Sequence, residues 1–208
     1  MDKKIKVLLI EDSAEWVRIF EEEIRKDPRF AYLGSASSKD TGVAMACARK
    51  PDVVVMDIYL VASSSHEYGI EAAKEIRIRT DAKIVFFTAD EYNRDLRREA
   101  CKIGFASGFI RKSDYKKYAD EIYNAATKST PLKESIIDFV RGQLTISEND
   151  ILNRIISGQI VGTVDYSDTN YDNRVVSKHK TKIYKKMGLI EIPEREREKV
   201  LVKIFTNW

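Results

Sequence analysis

The stretch PDVVVMD, residues 51–57, places four consecutive apolar side chains, Val53 to Met56, between two acids. A strand with one face in water alternates apolar and polar residues, whereas a strand that is apolar at every position needs cover on both faces. Its β-branched valines suit a pleated strand better than a helix. The run is therefore predicted as an inner strand of a parallel sheet. Its last residue is a carboxylate, Asp57, set where the chain leaves the core.

Similar runs flank it. KVLLI (6–10), YLGSAS (32–37), KIVFFTA (83–89) and SGFIRK (107–112) have the length of strands. Between and after them lie amphipathic stretches: AEWVRIFEEEIRKD, TGVAMACARK, GIEAAKEIRIRT, RDLRREACKIG and DEIYNAAT. Strand and helix patterns that alternate in this way define a doubly wound α/β domain with a parallel five-stranded sheet, here residues 1–127. The polar, proline-containing TKSTPLKES that follows is expected to open a linker over 128–142. Residues 143–208 have no strand-like run and suggest a small all-helical module. SENDILNRIISG is expected to start on Ser147 as N-cap and stop at Gly158, RVVSKHKTKIYKKMG to stop at Gly188, and a last helix to follow Pro193.

Composition narrows the class. With 43% hydrophobic and 33% charged residues the chain can bury a core, and its apolar runs are far shorter than the roughly 20 residues of a membrane span. No membrane association is expected, and the N-terminus lacks the apolar core of a signal peptide, which implies the cytoplasm. Cys47 and Cys101 with two histidines make no metal-ligand spacing and are expected to pack as small apolar groups. The net charge of +3 means that any basic surface must be a local cluster.

In a parallel sheet, functional side chains gather at the carboxyl ends of the strands. Those ends carry Glu11 and Asp12, Asp57, Thr88 and Lys112. Crowded carboxylates repel unless a cation sits among them, and an all-oxygen set suits Mg²⁺. A carboxylate beside such an ion can attack a phosphoryl group, with a lysine and a hydroxyl neutralising its oxygens. Asp57, alone on the central strand, is the expected nucleophile, Glu11 and Asp12 the metal holders, and Lys112 and Thr88 the phosphoryl partners. A phosphatase using a strand-end Asp needs a second acid two residues on, where Tyr59 stands, and EDSAEW lacks the glycines of a nucleotide-binding loop.

VLLIED, PDVVVMDI, FFTA and GFIRK, in this order, resemble the receiver domain of bacterial two-component response regulators. The resemblance implies a flavodoxin-like fold, Asp57 as phospho-acceptor for a sensor histidine kinase, and Thr88 and Phe109 as switch residues. It also implies a metal shell completed by the backbone carbonyl of Tyr59. One departure stands out: Gly69 follows Asp57 by twelve residues and VASSSHEY lacks the family's proline, so this loop is longer; His66 within it is expected to be solvated.

In the second domain, helical periodicity puts Val176, Ile183 and Met187 on one face and Ser177, Lys178, Thr181, Lys182 and Lys185 on the other. LTISENDILNRIISG followed by VVSKHKTKIYKKMGL resembles the helix-turn-helix of LuxR/NarL-type regulators, which implies double-stranded DNA as partner and the cationic face as its reader. His179 is then a packing residue. The segment 160–174 departs from the family in its Asp, Asn and Gly content. The stripe Leu201, Ile204, Phe205 and Trp208 matches the family's dimerisation helix in place and could pack within the module or against a second copy, with a homodimer the expected state. The alternative is an interaction adaptor whose divergent helical domain does not bind DNA.

Overall fold

The structure is a computed structural model in which residues 3–60, 68–89, 100, 106–127, 137–138, 141–158, 172–190 and 192–206 are described. The chain divides into two compact units, Met1–Lys133 and Glu134–Trp208.

In the first unit the described elements run β1 (Ile5–Ile10), α1 (Ala14–Lys26), β2 (Phe30–Ala36), α2 (Lys39–Arg49), β3 (Val53–Asp57), α3 (Tyr68–Arg79), β4 (Lys83–Thr88) and β5 (Ala106–Arg111). A 3₁₀ segment (Lys112–Lys117) then leads into α4 (Tyr118–Thr127). The strands form one parallel sheet in the order β2-β1-β3-β4-β5, which leaves β3 in the middle as its apolar run requires. Because successive strand residues face opposite ways, β3 feeds two cores. Val53 and Val55 join Val7, Leu9, Val85 and Phe87 with Phe20 and Ile24 of α1 and Ile122 of α4. Val54 and Met56 join Leu8, Ile10, Ile84 and Phe86 with Val43 of α2 and Ile76 of α3. All four β3 residues are completely buried, and at about 1.5–3 kcal/mol per large apolar side chain they are a main source of stability. The longer loop after β3 lies largely outside the described residues, as do His66, Cys101 and, Ala100 apart, the helix expected around 94–104.

The second unit contains α5 (Ile146–Ile156), α6 (Asn173–Lys186) and α7 (Glu194–Thr206). Ile151, Leu152, Ile155, Val176, Ile183, Met187, Leu201 and Ile204 are all buried. One expectation changes. The N-cap of α5 is Thr145, not Ser147: the Glu148 amide donates to Thr145 Oγ1 and the Thr145 amide donates to Glu148 Oε2, a reciprocal box that Ser147, already inside the first turn, cannot form. Residues 137–138 and 141–142, within the expected linker, are helical. Leu201 and Ile204, for which the sequence leaves open packing within the module or against a second copy, are 0% and 3% exposed within a single chain, on the face with which α7 packs against α5. Phe205 is half-buried under the Arg141 guanidinium, and Trp208 and the segment 159–171 lie outside the described residues. Gly158 and Gly188 end α5 and α6 with positive φ of 73° and 68°, a conformation that strains other residues.

Candidate functional site

The carboxyl edge of the sheet brings Glu11, Asp12, Asp57, Thr88 and Lys112 to one end of the first unit. The fold does this simply: β1, β3, β4 and β5 are parallel, so their last residues leave the same edge. One carboxylate oxygen from each of Glu11, Asp12 and Asp57 lies within 4.8 Å of the others. Lys112 reaches in from just past β5, its Nζ 2.7 Å from Glu11 Oε2 and 2.9 Å from Asp57 Oδ2. The Tyr59 amide donates to Asp57 Oδ1 at 3.1 Å and the Ser13 amide to Glu11 Oε1 at 3.2 Å. Glu11, Asp57, Thr88 and Lys112 are all buried, while Asp12 is half-buried.

Among the described residues charge is unbalanced here, with three carboxylates around one ammonium. Burial, then the neighbouring Asp57, pushes the Glu11 carboxyl up to about 7, against the pull of Lys112 and the Ser13 amide. Burial likewise raises the Asp57 carboxyl, tempered by Lys112 and the Tyr59 amide. A divalent cation would relieve that cost, and the donor set, oxygen only and anionic, is the kind that holds Mg²⁺. The residues present fit the ion.

Thr88 ends β4 one residue past Phe87, the register partner of Asp57. Phe109 pairs in register with Phe86 and stacks on it, 5.5 Å between ring centres, so the expected switch aromatic lies half-buried on the neighbouring strand.

Three features of the site went unread in the sequence. Gly69, in the first turn of α3, packs so close to the end of β3 that a Cβ would collide with the Asp57 carbonyl oxygen. Trp16 and Phe87 flank the Lys112 ammonium, their ring centres 5.5 and 5.2 Å from Nζ. Tyr118, 1% exposed, donates its hydroxyl to the Lys112 carbonyl at 2.8 Å. The sequence signals only that Trp16, Phe87 and Tyr118 are aromatic residues in core-facing patterns.

In the second unit, Ser177, Lys178, Thr181, Lys182 and Lys185 are all exposed along α6. The other two lysines are tied inward. Lys180 pairs with Glu198 of α7, and Lys186 pairs with Glu148 of α5 at 2.6 Å while donating to the Gln143 carbonyl at 3.0 Å. Glu148 is 1% exposed; burial works against its charge, but Lys186 and the Thr145 amide outweigh it and hold its carboxyl below the usual range. His179 is half-buried, and its Nδ1 has no hydrogen-bond partner among the described residues.

A parallel five-stranded sheet with an acid trio, a hydroxyl and a lysine at its carboxyl edge defines a receiver-type domain. Residues 7–122 match the family described as response regulator receiver domain, and the chain belongs to that family. It is 27% identical over 198 residues to the transcriptional regulatory protein YdfI of Bacillus subtilis, spanning 88% of this chain and 89% of YdfI. It is 34% identical over 133 residues to the transcriptional regulatory protein LiaR of the same organism, spanning 63% of this chain and 60% of LiaR. The solved RcsB response regulator of Salmonella typhimurium covers 98% of this chain, and 98% of RcsB is covered in return, with a TM-score of 0.54 and 12% identity; this likeness is one of fold alone. No helix among the described residues is long and apolar enough to cross a membrane.

Proposed function

We propose that this chain is a two-component response regulator, not an enzyme, in which phosphorylation of Asp57 controls binding of the second unit to double-stranded DNA. The observation that carries the reading is the Asp57 carboxylate, buried at the carboxyl edge, 2.9 Å from the Lys112 ammonium and beside Glu11 and Asp12. An Asp57 oxygen attacks the phosphorus of a phosphohistidine on a sensor histidine kinase, the phosphorus–nitrogen bond breaks, and the imidazole leaves with that electron pair. Mg²⁺, held by Glu11, Asp12, Asp57 and the Tyr59 carbonyl, would offset charge on the phosphoryl oxygens. Lys112 moves from the free carboxylate to one phosphoryl oxygen, and the Thr88 hydroxyl donates to another. Phe109 then follows Thr88 as the switch.

The exposed face of α6 supports the DNA half of the proposal. Lys178, Lys182 and Lys185 stand beside Ser177 and Thr181 on the side away from the packed residues, as a helix entering the major groove requires. The active form is a cytoplasmic homodimer on paired half-sites, and its contact surface excludes the buried Leu201 and Ile204.

The test has two arms. A small acyl phosphate with Mg²⁺ should label Asp57 in the full chain, with Asp57→Asn unlabelled. Selection from genomic fragments should then recover DNA better with the labelled chain. A labelled chain that recovers no DNA at any salt concentration would leave a phosphorylation-dependent protein adaptor in its place.

A further inference from the structure

Lys112 occupies an awkward position. It stands between two acids, 2.7 Å from one and 2.9 Å from the other, on a flexible four-carbon stem. Either carboxylate alone could capture it, and capture by Glu11 would carry it away from the place where the phosphoryl group arrives. The backbone of Lys112 is anchored by the Tyr118 hydroxyl at 2.8 Å. That bond fixes the root of the side chain but not its tip.

The tip is flanked by rings. The indole of Trp16 and the ring of Phe87 lie 5.5 and 5.2 Å from Nζ. The two rings meet edge to face, with centres 5.9 Å apart and planes at 88°. Phe87 in turn meets Tyr118 edge to face at 5.0 Å and 87°. Trp16, Phe87 and Tyr118 thus form one continuous aromatic frame around the lysine, from its backbone carbonyl to its ammonium. Ring faces attract a cation without competing for its hydrogen bonds, and in a water-poor site that attraction is strongest. Phe87 and Tyr118 belong to the buried core, whereas Trp16 is only half-buried, in the first turn of α1.

We propose that Trp16 is a positioning residue for the phosphoryl-transfer site: its indole face holds the Lys112 ammonium in line with both Glu11 and Asp57, so that the lysine meets the incoming phosphoryl group without first leaving a deeper ion pair. The proposal rests on Asp57 being the phosphoryl acceptor. It concerns the speed of transfer, not whether Asp57 is chosen.

The experiment uses the full chain, with a small acyl phosphate and Mg²⁺ as the probe. Trp16→Leu keeps apolar bulk but removes the ring face, and Trp16→Phe keeps a ring face. The leucine variant should be labelled about tenfold more slowly than the wild type, with the phenylalanine variant within about twofold of it. Equal rates for leucine and phenylalanine, whether both fast or both slow, would overturn the proposal, since bulk alone would then explain the site. A second measurement does not depend on labelling. With Trp208→Phe as background, Trp16 is the sole tryptophan, and Lys112→Met should shift its emission. Unchanged emission overturns the aromatic hold even where labelling fails, whereas changed emission with no labelling of wild-type Asp57 would sink the acceptor reading and keep the contact.

Discussion

The acid trio should make the first unit less stable as pH rises, unless a divalent cation is present. Glu11 ordinarily titrates near 4.5, but in the fold it is pushed up to about 7, chiefly by burial and then by Asp57. A raised carboxyl means that the folded state holds its proton more tightly than the unfolded chain does. Below pH 4.5 both states are protonated and the group costs the fold nothing. Between 4.5 and about 7 the unfolded chain loses the proton first, so stability falls with increasing pH; above about 7 the loss is complete. Its size is the shift multiplied by about 1.4 kcal/mol per unit, on the order of 3 kcal/mol. Asp57 is raised as well, which adds to the loss in the same direction.

The assay is denaturant unfolding of the full chain from pH 4.5 to 8, with and without Mg²⁺, followed by Trp16 emission in a Trp208→Phe background. Without the ion, stability of the first unit should fall across this window. Glu11→Gln, which cannot ionise, should flatten most of the fall and be the more stable protein at pH 8. Mg²⁺ needs the carboxylates ionised, so it should stabilise at pH 8 far more than at pH 5, by about 1.4 kcal/mol at ten times its dissociation constant. Stability that is flat or rising across the window in the absence of the ion, or a fall that Glu11→Gln leaves undiminished, would refute the reasoning.

Three further outcomes are expected. Asp57→Asn should abolish labelling, with the phosphoryl group absent from every peptide by mass spectrometry; labelling that moves to Glu11 or Asp12 would point to a different nucleophile. Lys178→Ala and Lys182→Ala should each weaken DNA binding and, where the contact is to phosphate, lower the salt slope by about one, while Lys180→Ala, whose lysine is engaged by Glu198, should change affinity little at matched folded fraction. Lys186→Met should cost the second unit about 3 kcal/mol because it strands the buried Glu148 carboxylate, whereas Glu148→Gln should cost only about 1 kcal/mol, because Lys186 is 34% exposed and can turn to water; equal costs in denaturant titrations would contradict this asymmetry.

The sheet was legible because its signal is local. Val53 to Met56 can be satisfied only by cover on both faces, and a parallel sheet then delivers Asp57 to the same edge as Glu11, Asp12, Thr88 and Lys112 whatever the loops do. The frame around Lys112 was not legible, since Trp16, Phe87 and Tyr118 come from three elements and each has an ordinary place in an apolar pattern. The cap of α5 was misplaced for a smaller reason. Two hydroxyls, Thr145 and Ser147, precede the apolar stripe, and only the reciprocal bond to Glu148 decides between them. In α7 the same apolar stripe serves a core or a partner equally well. The burial of Leu201 and Ile204 assigns it to the core.

The two buried glutamates show why one polar cluster is a site and the other a fastener. Glu148 has an ammonium from Lys186 at 2.6 Å and an amide from Thr145 at 2.8 Å, neither shared with another acid among the described residues. Its carboxyl is therefore held below the usual range, and it stabilises the fold at neutral pH, losing that contribution only as pH falls through its lowered value. Glu11 shares its one ammonium with Asp57, with Asp12 close by, so its carboxyl moves the other way. A fold built only for stability would have no reason to keep three acids around one lysine. Among the described residues that surplus of negative charge is the kind that a divalent cation would offset. The opposite pH responses of the two units follow from that difference in charge balance: the Glu11 response lies between pH 4.5 and about 7, and the Glu148 response lies below pH 4.5 and needs a series carried to lower pH with a probe in the second unit.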